Sequence, residues 1–151
     1  MRYFEDYALG EIERFGRYEV TRDEMIAFAS KYDPQPFHLD DAEASKSPIF
    51  KAMSASGWHT AAMAMAMQVA ALEAAEPAFV AGLGVDELRW LAPVYAGDVL
   101  SSEREVVELR ASKSRPQMGM LRLRTTVSNQ DGDAVMRFTA IVLANRRPAR
   151  P

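Results

Sequence analysis

Apolar and polar positions recur with two different periods along this chain, and the change of period divides it in two. In the first half Met25, Phe28, Ala29 and Tyr32 fall at i, i+3, i+4 and i+7, one apolar face of a helix. Thr21 and Glu24 stand three residues apart just ahead of that face, the spacing of a capping box. A loosely alternating strand from Glu11 to Val20 precedes it. Asp40 to Ser47 predicts a short second helix, which Pro48 ends. From Gly57 to about Glu76 the chain is apolar almost throughout, a long central helix closed by Pro77. Beyond it the period becomes two, and Val85 to Leu91, Val99 to Leu109, Met118 to Val127 and Ala134 to Ala144 predict strands. Leu121, Leu123, Thr125 and Val127 alternate with Arg122, Arg124, Thr126 and Ser128, as in a strand with one buried face. Asp131-Gly132 marks a hairpin between the last two strands, and Pro93, Gly97 and Asp98 mark an earlier reversal. Helices early and hairpin-linked strands late predict an α+β domain built on an antiparallel sheet.

Composition narrows the class. A chain of 151 residues without a linker-like tract or internal repeat predicts a single domain over 1–151. Its 48% hydrophobic content is ordinary for a globular protein. The net charge of −3 argues against a nucleic-acid partner, which calls for a basic face. With no cysteine, disulfides, thiol catalysis and Cys-type zinc sites are excluded. That absence fits a reducing compartment, and the start MRYFEDYALGE carries no apolar leader core, so a cytoplasmic protein is expected. The run TAAMAMAMQVAALEAA (residues 60–75) is the one stretch to weigh as a membrane span. It is shorter than the about 20 residues a span requires, rich in alanine and interrupted by Gln68 and Glu73, so a buried helix is expected and no membrane.

The candidate chemistry lies between the first two helices, in Tyr32-Asp33-Pro34-Gln35-Pro36-Phe37-His38. A carboxylate and an imidazole can share one water and trade protons near neutral pH. Pro34 and Pro36 fix φ at their own positions and push Asp33 and Gln35 out of helical geometry, which stiffens the segment. On local chemistry alone Asp33 could equally cap a turn and His38 be an ordinary loop histidine. His59 is the only other histidine. With Asp33, Asp40 and His38 it matches no recurrent ligand spacing, and the Asp40-Asp41 pair reads as charge at a helix N-terminus, so no metal is expected.

The stretch YDPQPFHLDDAEA resembles the D-x-N-P-x-H signature of the MaoC-like (R)-specific enoyl-CoA hydratases, with Asp33, Pro36 and His38 on the matching positions. Gly57 in SASGWHT matches the glycine at which that family's central helix starts, and the likeness continues through LRWLAPVYAGDVL and VSNQDGDAVMRFTAIVLANRR. Two positions depart from the pattern: Gln35 replaces the family asparagine, and Ser56 stands where many members have histidine. The resemblance implies a hot-dog fold, an antiparallel sheet wrapped around a long central helix. It implies that Asp33 and His38 activate water for addition to a 2-enoyl thioester, or remove it from a 3-hydroxyacyl thioester. Coenzyme A would then enter as part of the substrate, with no separate cofactor, and a homodimer or higher homo-oligomer is the expected assembly.

At the start of a helix Gly57 can offer a free N–H to the thioester oxygen, with Ser56 and Trp58 beside it as oxyanion or substrate-binding residues. Trp58 reads equally as packing or as a wall of the acyl pocket. Arg89, Lys113, Arg115, Arg146 and Arg147 could meet coenzyme A phosphates or simply be solvated surface. A thioesterase on the same fold and a non-catalytic acyl-thioester-binding subunit are the alternatives, because one scaffold hosts several chemistries.

Overall fold

The structure is a computed structural model that describes residues 1–148. Its elements run β1 (Ile12–Glu19), α1 (Arg22–Tyr32), α2 (Asp41–Ala44), α3 (Gly57–Ala75), β2 (Phe79–Trp90), β3 (Val99–Ala111), β4 (Met118–Ser128) and β5 (Ala134–Asn145). The five strands form one antiparallel sheet in the order β1-β3-β4-β5-β2, with the long helix α3 packed on it. This is the expected hot-dog arrangement. Among the described residues no helix is long and apolar enough to cross a membrane.

The alternation in β4 has the expected consequence. Leu121, Leu123, Thr125 and Val127 are buried, while Arg122, Arg124, Thr126 and Ser128 are not. The core joins that sheet face to α1 and α3 through Met25, Met63, Met67, Leu100, Val127, Met136 and Phe138. Helix and sheet approach each other closely at Gly16, in a β1 bulge with φ +81. A Cβ there would lie 2.6 Å from the Met67 sulfur, so Gly16 supplies both the turn and the clearance.

Two boundaries and one pattern of burial differ from the sequence expectation. β2 starts at Phe79 rather than Val85, because edge pairing to β5 needs only backbone groups and so admits Ala81, Gly82 and Gly84. α2 is confined to Asp41–Ala44, with Asp40 as its N-cap accepting from the Glu43 N–H. The central helix is only half buried: His59, Thr60, Met63, Ala64, Met67 and Gln68 face the protein, whereas Trp58, Met65 and Val69 are exposed. A single sheet covers one face of a helix, and Trp58, Met65 and Val69 on the other are left exposed among the described residues.

Candidate active site

Helix α1 ends at Asp33, where Pro34 disfavours another helical residue. Asp33 adopts φ −152, ψ 68, and its own N–H still reaches the Ala29 carbonyl. Pro36 then opens a 3-10 turn over Pro36–His38, with extended Gln35 before it. The prolines therefore keep residues 33 and 35 out of helical geometry, as expected. The turn carries His38 inward, so it is a buried residue rather than part of an exposed loop, packed against Phe37 and Phe50.

The other half of the site comes from the approach to α3. Met53, Ser54, Ala55 and Ser56 are all buried, tied to the neighbouring loop by a Ser54–Tyr95 bridge and the Ala55 N–H to the Val94 carbonyl. This places the Ser54 carbonyl 2.8 Å from His38 Nδ1. A carbonyl only accepts, so Nδ1 carries the hydrogen and neutral His38 keeps the Nε2 lone pair. Nε2 lies 3.4 Å from Asp33 Oδ2. With His38 neutral both facing atoms are acceptors, and a water lying beside the pair can donate to each.

Asp33 is itself held by two donors. Ser56 Oγ donates to Oδ2 at 2.7 Å, and Gln35 Nε2 donates to Oδ1 at 2.7 Å. The Ser56 hydroxyl, the Gln35 amide and the nearby His38 keep its carboxyl below the usual aspartate range, against the opposing effect of desolvation. Ser56 was expected to face the substrate; its hydroxyl is instead fully buried and engaged by Asp33. The same bond explains why Ser56, the N-cap of α3, makes no side-chain cap. The first N–H groups of the helix, beginning with Gly57, are left for another acceptor, and no acidic residue stands in that first turn.

Asp33, His38, Gly57 and Trp58 line one cavity of about 390 Å³, walled by Phe50, Trp90 and Val94 among others. Trp90, unremarked in the sequence, donates its indole N–H to the Gly57 carbonyl at 2.8 Å and meets Trp58 edge-on. The Ser54 carbonyl was also missed, since a backbone acceptor leaves no trace in residue type. His59 lies apart, stacked on Phe28 and lining a different cavity. Among the described residues no three His, Cys, Asp or Glu side chains converge.

Of the five basic residues, Arg146 and Arg147 are engaged by Glu5 and Asp6. Lys113 and Arg115 share a separate cavity with Arg110 at the β3–β4 hairpin. Exposed Arg89 turns one guanidinium nitrogen to its neighbour's carbonyl.

Residues 8–130 match the MaoC like domain. The chain belongs to this family. A MaoC-like dehydratase from Rhodospirillum rubrum superposes with TM-score 0.88 at 39% identity, covering 97% of this chain and 99% of that one. The (R)-hydratase PhaJ1 from Pseudomonas aeruginosa gives TM-score 0.70 at 26% identity, over 99% of this chain and 93% of its own. A mesaconyl-CoA hydratase from Cereibacter sphaeroides is 40% identical over 68 residues, which are 45% of this chain but 20% of that protein.

Proposed function

We propose that this MaoC-like protein is an (R)-specific enoyl-CoA hydratase, equally a 3-hydroxyacyl-CoA dehydratase in reverse. The observation that carries the reading is the facing of His38 Nε2 and Asp33 Oδ2 at 3.4 Å beside the uncapped start of α3. Water held by both groups gives one proton to His38 as its oxygen bonds the β-carbon. The alkene electrons shift toward the thioester oxygen, which accepts from the Gly57 N–H. Protonated His38 then returns that proton to the α-carbon, and water has been added with no change in redox state. Acid/base help of this kind contributes about 10²–10⁴ in rate, and one oxyanion donor about 10²–10³.

The assembly is proposed to be a homodimer joined along β2. That strand is an edge, and it exposes Val80, Leu83 and Val85 in one segment. A long apolar edge is a template for pairing with a second copy. Antiparallel pairing would also carry the β3–β4 hairpin of one copy, at the Phe79 end of its sheet, toward the Trp90 end of the other. There the basic hairpin would meet the coenzyme A phosphates.

Incubation with a panel of 2-enoyl-CoA thioesters tests the reaction. Loss of the conjugated enoyl signal with formation of the hydroxyacyl product is expected. Free thiol without that product would assign thioester hydrolysis instead, and tight binding without turnover would leave a binding subunit.

A further inference from the structure

The two positions at which this chain departs from its family's signature converge on one carboxylate. We propose that Gln35 and Ser56 form a two-donor clamp that fixes Asp33 in orientation and charge, making both of them positioning residues for the His38–Asp33 pair. This rests on the hydratase reading for its catalytic meaning, although the clamp itself is a property of the fold.

Each oxygen of Asp33 has its own donor. Oδ1 receives the Gln35 amide from two residues along the same turn, and Oδ2 receives the Ser56 hydroxyl from 23 residues away at the head of α3. A carboxylate gripped from both sides cannot rotate about its last bond without breaking a charge-assisted hydrogen bond. Oδ2 is thereby kept pointing at His38, the titratable side chain that faces it. Both donors also favour the ionised form, in keeping with the lowered titration of this group. A carboxylate so held is a poor proton donor, which leaves His38 to carry the proton while Asp33 orients the water and steadies the imidazolium.

Ser56 has a second consequence. The hydroxyl that would ordinarily cap α3 is turned away from the helix, so the Trp58 and His59 N–H groups that a cap would reach lack that acceptor. Ser56 therefore serves Asp33 in place of its own helix, which is not expected of a direct substrate ligand.

The test compares Gln35→Met, Ser56→Ala, Ser56→Thr and the Gln35→Met/Ser56→Ala double variant with the parent protein. Gln35 is exposed, so its methionine variant removes a donor without disturbing the core. The Asp33 carboxyl is titrated by carbon-detected NMR, and kcat and KM for a 2-enoyl-CoA are measured across pH. The Asp33 midpoint should rise in each donor-deleted variant and furthest in the double, with the acid limb of kcat/KM rising in step. Turnover should fall on the order of 10²-fold in the double, the scale of a misplaced catalytic group, with KM little changed. Ser56→Thr, which keeps the hydroxyl, should restore the parent midpoint. An Asp33 midpoint that ignores the removal of both donors would overturn the clamp. Because the NMR titration needs no substrate, it decides the clamp even if the protein hydrates nothing; a shifted midpoint with no turnover in the parent would fault the hydratase reading alone.

Discussion

Trp90 lies directly across Gly57, its indole N–H donating to the Gly57 carbonyl at 2.8 Å. A methyl group on Gly57 would stand 2.4 Å from the indole ring, so the absence of a side chain at the start of α3 is required by Trp90 itself. Gly57→Ala should therefore displace the indole. It should destabilise the protein by about 1–3 kcal/mol, the range for overpacking, and lower turnover as the helix N–H moves. Denaturant unfolding followed by tryptophan fluorescence measures the first effect. An unchanged midpoint would show that the ring relaxes without strain.

His38→Gln and Asp33→Asn should each lower turnover by about 10²–10⁴ if the two groups share one water. Groups that act as a unit are not additive, so the double variant should fall little further. Because His38 is buried, glutamine is preferred to alanine, which would leave a hole beside Phe37 and Phe50. Full activity in a folded His38→Gln protein would be incompatible with the mechanism.

Stability should decline in two separate windows as pH falls. Burial pushes His59 below its ordinary value of 6.5, with Glu24 opposing, so the unfolded chain binds a proton that the folded one refuses. Its contribution is complete above about 6.5 and is lost as pH drops toward the lower folded value, with a slope of at most about 1.4 kcal/mol per pH unit. Asp33 behaves likewise lower down: its stabilisation is present above the ordinary 3.8 and is lost as pH falls through its depressed folded value. Thermal unfolding over a pH series should show both declines. His59→Phe, which keeps a ring against Phe28, should abolish only the upper one.

Leu83→Lys combined with Val85→Lys places two charges on the β2 edge without touching the core, since both residues are exposed in the protomer. If the edge pairs two copies, light scattering should report a halved mass for the double variant. A parent protein already monomeric at high concentration would remove the dimer from the account.

How much of this was legible in the residues differs from element to element. Alternation in β4, the Thr21 cap of α1 and the prolines around Gln35 act over a few residues each, and local sterics and burial decide them. The capping box forms only in its Thr21 half, because the Glu24 carboxylate accepts from the Tyr18 hydroxyl, and Tyr32 of the expected α1 face is exposed. The edge strand was read only from Val85 onward, because its first half is held by backbone pairing to β5, which residue type does not encode.

Within the site, the sequence by itself determined that Asp33 and His38 flank a rigid proline turn and that a glycine opens the next helix. Tertiary structure alone decided what those groups touch. The Ser54 carbonyl selects the His38 tautomer from 16 residues away, Ser56 turns from its helix to grip Asp33, and Trp90 closes over Gly57 across 33 residues. Such contacts depend on how the approach to α3 and the end of β2 pack together. A hydrogen bond between distant segments is fixed by that packing and by the need to satisfy each buried polar group, not by the identity of either residue taken alone.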